Sequence, residues 1–160
     1  MTKIIMGADH AGFELKEAIK AFLTGAGWEI TDVRTDNCSP VDYPDFGAPV
    51  AGRVAAGEFS RGILICGSGV GMSILANKFP GIRAVLALDE EMATLSRMHN
   101  DTNILVLAGR RTDQTKAAAI LQAWLITAFA GGRHQARVDK IGQWEQKLCR
   151  EKNETWEVGL

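Results

Sequence analysis

Short apolar runs alternate with amphipathic stretches along this chain. Lys3–Ala8 reads as a buried strand. After it, Leu15, Ile19, Phe22 and Leu23 share one helical face, with Lys16, Glu17 and Lys20 off it. Gly25 and Gly27 stop that helix. Residues 28–33 alternate as a second strand. The stretch 35–45 holds three aspartates, an asparagine, a serine and two prolines, and reads as a loop. A helix is expected over 46–56, ended by Gly57. Gly62–Cys66 is a third strand, and the glycine loop 67–71 leads into a helix ending near Lys78. Residues 82–88 read as a fourth strand, 89–99 as a helix and 103–107 as a fifth strand. Thr112 is the expected N-cap of the next helix, with Asp113 favourable in its first turn. That helix runs to about Phe129, Gly131-Gly132 breaks it, and a last helix covers 133–152.

Strands alternating with helices predict a parallel sheet covered on both faces. Ligands of such sheets sit beyond the carboxyl ends of the strands. That rule selects Asp9-His10 after the first strand, the segment from Cys66 to Gly71 after the third, Asp89 after the fourth and Gly109-Arg110-Arg111 after the fifth.

Cys66-Gly67-Ser68-Gly69-Val70-Gly71 is the most informative segment. Its glycines let backbone approach a ligand, and the helix that follows offers free N–H groups to a phosphate or a developing enolate oxygen. A tight turn without a ligand has the same composition. Dinucleotide binding is a second alternative, and Asp89 mimics the acid that would hold a ribose. The spacing departs from G-x-G-x-x-G, however, because Met72 stands where the third glycine belongs. Cys66 closes its strand just before the helix, where a sulfur can serve as nucleophile or base; a small buried residue is the bland reading.

His10, His99 and His134 all have polar neighbours, and each singly reads as a satisfied structural histidine. Topology makes His10 the best placed. Arg133 and Arg137 are four apart at a helix start, so they share a face and suit a phosphate dianion, or form a solvated basic face. The last helix carries Val138, Ile141, Trp144 and Leu148, which fit packing on its own domain or on a partner subunit.

Composition narrows the classes. At 160 residues, 46% hydrophobic and 23% charged, the chain suits one soluble domain. We place that domain over 1–150, with a tail 151–160 of no assigned role. A formal charge of -1 argues against nucleic acid and membrane as partners. Three separated cysteines, Cys38, Cys66 and Cys149, give neither a disulfide framework nor a zinc pattern. Free thiols, no signal-like start and no apolar run of about 20 residues give a cytoplasmic expectation.

Taken together, the segments resemble the type B ribose-5-phosphate isomerases and the related galactose-6-phosphate isomerase subunits. The matching stretches include the run Gly7 to Gly12, Asp42-Tyr43-Pro44, Gly62 to Gly71, Ala76-Asn77-Lys78, Gly81-Ile82-Arg83-Ala84, Ser96-Arg97, His99-Asn100-Asp101, Asn103, Gly109-Arg110 and Gly131-Gly132-Arg133-His134. They keep the family's order over about residues 3–137. The resemblance implies a single Rossmann-like, three-layer α/β domain with a five-stranded parallel sheet, helices on both faces and a C-terminal helix contributing to a dimer. It implies an aldose–ketose isomerase interconverting ribose 5-phosphate and ribulose 5-phosphate through an enediolate, without metal or cofactor.

Residue by residue, the resemblance makes Cys66 the base at C2, and Ser68 with His99 the pair that opens the furanose ring. Asp9 and Tyr43 would contact the sugar. Backbone N–H groups over Gly67, Ser68, Gly69, Val70 and Gly71 would hold the enediolate oxygen. His10, Arg133 and Arg137 would hold the phosphate. His99, Asn100 and Arg110 would come from a neighbouring subunit, making a homodimer or homotetramer with shared active sites. Two departures stand out: Ser68 replaces a frequent threonine, keeping the hydroxyl, and Met72 occupies the position of a glutamate base used by one branch. Allose 6-phosphate, galactose 6-phosphate or a tetrulose phosphate would use the same apparatus. A nucleotide-binding module and a non-catalytic partner subunit are the alternatives from other classes.

Overall fold

The computed structural model describes residues 3–33 and 38–157. Residues 35–37 of the expected loop and 158–160 of the tail therefore lie outside the described residues. Five parallel strands, β1 (Lys3–Ala8), β2 (Glu29–Val33), β3 (Gly62–Cys66), β4 (Ala84–Leu86) and β5 (Ile104–Ala108), form one sheet in the order β2-β1-β3-β5-β4. The helices are α1 (Phe13–Gly25), α2 (Tyr43–Ala55), α3 (Val70–Ala76), α4 (Glu90–Asn100), α5 (Gln114–Ile126) and α6 (Arg133–Glu157).

The period-two alternation of the strands divides their side chains between two cores. Ile4, Met6, Ile63, Ile65, Leu105 and Leu107 pack with Leu15, Ile19 and Leu23 of α1, Ala93 of α4 and Ile120, Leu121 and Trp124 of α5. Ile5, Leu64, Cys66, Ile104 and Val106 face the other way, against Val50, Ala51 and Val54 of α2 and Met72 and Ala76 of α3. Both faces are thus covered, as the near-continuous apolar runs of β3 and β5 require. Each fully buried aliphatic side chain contributes about 1.5–3 kcal/mol against conformational entropy.

Several local expectations are corrected. The helix expected from residue 46 begins at Tyr43, with Pro44 in its first turn, where a missing N–H costs nothing. The fourth strand shrinks to Ala84–Leu86. Asn103 Oδ1 accepts the Arg83 N–H at 2.8 Å, while Asn77 bonds both backbone groups of Ala84 at 2.9 Å. Two asparagines thus take over part of the ladder. The N-cap before α5 is Asp113, whose carboxylate accepts the Lys116 N–H at 2.8 Å; Thr112 is buried instead. The last helix runs on to Glu157, so the expected tail boundary falls inside it.

One ion-pair cluster is buried beside β2. Lys16, only 1% exposed, bonds both Asp32 oxygens at 2.7–2.8 Å, and Lys20 adds a bond at 2.8 Å. Burial opposes the Asp32 charge, yet hydrogen bonds from Lys16 and Lys20 outweigh it and hold the carboxyl below its ordinary 3.8.

Candidate active site

The chain's direction reverses between β1 and β3, which are neighbours in the sheet, and a crevice opens beyond their carboxyl ends. A cavity of about 210 Å³ lies there. Asp9, His10 and Ala11 line it from the β1 turn, Tyr43 from the start of α2, Cys66, Gly67, Ser68 and Gly71 from the β3–α3 loop, and Arg110 from the turn after β5. An adjoining cavity of about 420 Å³ shares His10 and Ala11 and reaches Cys38 and Gly109.

Each group is held by short-range geometry. The Asp9 carboxylate accepts the Gly12 N–H at 3.0 Å, and the Asp9 N–H donates to Ile65 at 3.2 Å, tying the β1 turn to β3. His10 Nδ1 lies 3.2 Å from both the N and the O of Val41, which pins the approach to Tyr43. The N–H groups of Gly109 and Arg110 donate to Cys66 and Gly67 at 2.8 and 3.1 Å, binding the β5 turn to the glycine loop. Cys66 is 4% exposed. Ser68 Oγ accepts the Val70 N–H at 3.3 Å and is otherwise open to solvent.

Two glycines are dictated by space and backbone. Gly69, which starts α3, has φ 77°, in the left-handed region. At Gly71 a Cβ would stand 2.7 Å from Tyr43 Cζ, so the tyrosine ring rests on bare backbone. Gly69 and Val70 shape the loop without lining the cavity.

The structure brings Asp9, His10, Tyr43, Cys66, Gly67, Ser68, Gly71 and Arg110 together. Arg110 was expected from a neighbouring subunit; here it lines the cavity of its own chain, with Cδ and Nε 3.4 Å from where a Gly67 Cβ would stand. The remaining predicted residues lie elsewhere. Helix α4 starts at the carboxyl end of β4 and returns to the amino end of β5, so its 11 residues carry His99 and Asn100 roughly 16 Å back along the sheet. Helix α5 makes the same return, and α6 starts beside the end of α4. Arg133 and Arg137 therefore share the amino end with His99, and within one chain neither reaches Cys66.

That amino end has its own order. Asp101 caps α4 with φ 46°. Arg83 donates to the carbonyls of Asn100 and Asp101 at 2.8–3.0 Å, and Arg97 donates to the Asp101 carboxylate at 2.7 Å. The His99 and His134 rings stack, with centroids 4.1 Å apart and planes within 11°. Burial, His99, Arg133 and Arg137 hold the His134 pKa below its ordinary 6.5. Sequence reasoning gave His134 no role, since only the fold shows which ring it meets.

Among the described residues, no group of three or more His, Cys, Asp or Glu is placed to hold a metal ion. No described helix is long and apolar enough to cross a membrane. Asp89, the candidate ribose ligand, is occupied as the N-cap of α4, accepting the Met92 N–H at 2.7 Å.

The chain as a whole resembles known proteins. The family model described as Ribose/Galactose Isomerase matches residues 4–141. The chain is 49% identical to ribose-5-phosphate isomerase B of Escherichia coli, over 92% of this chain and 99% of that one. It is 46% identical to a putative sugar phosphate isomerase of Bacillus subtilis, over 91% and 98%. The solved ribose-5-phosphate isomerase B of Clostridium thermocellum superposes with a TM-score of 0.90 at 50% identity, over 92% and 99% of the two chains. That of Mycoplasma genitalium, solved with bound ribulose-5-phosphate, gives 0.87 at 37% identity, over 91% and 97%. The chain belongs to the ribose/galactose isomerase family.

Proposed function

We propose that this chain interconverts ribose 5-phosphate and ribulose 5-phosphate, as the names of its relatives state of them, with Cys66 as the base that moves the proton. The observation that carries this reading is the buried Cys66 sulfur in a cavity that also holds a carboxylate, an imidazole, a phenol and a guanidinium. An aldose–ketose exchange needs one proton moved between C2 and C1 through an enediolate. Cys66 takes it from C2 and returns it to C1, while the O2 proton passes to O1 as C1=O becomes an alcohol and C2=O forms. N–H groups of the 67–71 loop stabilise the oxyanion.

The cyclic sugar must open first. The anomeric hydroxyl loses its proton, its electron pair forms C1=O, the C1–O4 bond breaks and O4 takes a proton. Ser68 and His99 form that donor–acceptor pair, and Asp9 and Tyr43 position the sugar. His10, Arg133 and Arg137 hold the phosphate, whose binding energy is remote from the reacting carbons. No cofactor takes part.

Because Cys66 and the Arg133–Arg137 pair lie at opposite ends of one sheet, the complete site needs two copies. The carboxyl end of one copy faces the amino end of another, which supplies His99, Asn100 and the two arginines. Exposed apolar residues suit such pairing: Val70 and Ile74 on α3, Met92 and Leu95 on α4, and Ile141, Trp144 and Leu148 along α6. We place the enzyme in the cytoplasm as a homodimer or a pair of dimers.

The decisive experiment offers the protein aldose and ketose phosphates of four to six carbons with a chelator present. Ribose 5-phosphate turnover that survives chelation, and disappears in Cys66→Ala while phosphate-ester binding persists, is the expected result. Turnover retained by Cys66→Ala removes the proposed base, and preference for a hexose 6-phosphate reassigns the substrate.

A further inference from the structure

Resting on the isomerase reading, we infer that His134 is a positioning residue for ring opening, fixing the plane of the His99 imidazole through a face-to-face stack. Three observations converge on it. The backbone at the end of α4 is locked, since Arg83 holds the carbonyls of Asn100 and Asp101 and Arg97 holds the Asp101 side chain. That lock leaves the His99 side-chain torsions untouched. Neither His99 ring nitrogen bonds another described residue, so the ring is oriented by packing, and its stacking partner is His134 at 4.1 Å. His134 is itself well held. It is 8% exposed, its N–H donates to Gly131 at 3.0 Å, and Arg133 Nε lies 3.5 Å from its Nε2. The Ala130 N–H, bonded to Met98 at 3.0 Å, ties this loop to the residue preceding His99.

Stacking occupies the faces of the two imidazoles and leaves the His99 edge, with both nitrogens, available to a substrate. An uncharged partner face also avoids the repulsion that two imidazolium rings would suffer in contact. Burial, His99 and the neighbouring arginines all favour that uncharged state of His134. A ring that swings out of plane misplaces the proton it must exchange with the furanose.

The two substrates separate this role from proton transfer at carbon. Ribulose 5-phosphate carries its phosphate on O5, cannot close a five-membered ring onto C2, and enters the site open. Deuterium exchange from solvent into its C1 reports enediolate formation alone, whereas consumption of ring-closed ribose 5-phosphate also needs the ring step. In His134→Ala we expect turnover of ring-closed ribose 5-phosphate to fall about 10- to 100-fold, while C1 exchange in ribulose 5-phosphate stays within about threefold of the parent. His134→Phe, which keeps a flat ring and no titratable nitrogen, should recover most of the loss. An independent check is the His99 Cε1 proton resonance, which should lose its ring-current shift in His134→Ala and keep it in His134→Phe. The inference is overturned if exchange and net turnover fall together, if the phenylalanine variant does no better than alanine, or if the His99 resonance is unmoved by His134→Ala. Failure of the unmodified protein to interconvert the pentose phosphates would instead overturn the isomerase reading, and this inference with it.

Discussion

The two ends of the sheet are built from different materials. At the carboxyl end, backbone does most of the shaping: Asp9, Gly109 and Arg110 cross-link adjoining turns through N–H bonds, and Tyr43 lies on the bare Gly71 backbone. At the amino end, long charged side chains do it: Arg83 and Arg97 grip a left-handed Asp101, and Arg133 and Arg137 flank a histidine stack. One end offers a cavity with a buried sulfur, the other a cationic, imidazole-bearing surface. The difference teaches why the proposed site draws on both ends. A cavity with the single guanidinium of Arg110 holds a phosphate less firmly than one that also gains Arg133 and Arg137, and cations without a base move no proton.

The largest expected effect tests the carboxyl end. Cys66→Ala should lower kcat about 10³-fold or more with phosphate-ester affinity within a few-fold, read by steady-state kinetics and calorimetry. Next comes the amino end: Arg137→Ala should raise KM about 100-fold and leave kcat less affected, since it touches a remote anchor. Mixing these two variants, letting subunits exchange and assaying well below the raised KM, where each alone is nearly silent, sharpens the comparison. Half of the dimers formed would be mixed, each with one intact site, so about a quarter of the parent activity should return. No recovery after verified exchange would show that both ends serve the same chain. Smaller still, Gly71→Ala should push the Tyr43 ring into the cavity and raise KM about tenfold, while Gly52→Ala, with only Phe79 Cε1 at 3.7 Å, should leave KM unchanged.

A last prediction concerns a region outside both ends. Asp32→Asn leaves the buried Lys16 with only the half-exposed Glu17 carboxylate at 2.7 Å and should cost about 2 kcal/mol at neutral pH, measured by denaturant unfolding. The parent Asp32 has a folded-state pKa below its ordinary 3.8, so its contribution is complete above pH 3.8 and is lost as pH falls through the lower folded value. The variant should therefore show a shallower loss of stability below pH 3.8 than the parent.

Much of this was legible in the chain. The apolar runs located all five strands, and the strand-end rule selected Asp9, Cys66 and Arg110, which meet around one cavity. Two kinds of information were not legible. The first is competition for backbone groups. Ile82 and Arg83 look like strand, but the side chains of Asn77 and Asn103 claim the hydrogen bonds there, and Asp113 outcompetes Thr112 as a cap because the threonine is buried. The second is which end of a helix a residue occupies. His99 and Arg133 belong to matching motifs as plainly as Cys66 does, yet a crossover helix must return to the start of the next strand, and that carries them away from the sulfur. The His99–His134 stack is a pairing across 35 positions, and no periodicity in the sequence announces it.

The separation of Cys66 from the paired guanidiniums has a consequence for dosage. On the proposed two-chain site, a freshly synthesised chain would hold half of the apparatus and stay silent until it met another. When chains were scarce, output would rise with the square of their concentration. Dilution alone would then switch the activity off, and adding inert chains that retain only one intact end would restore it.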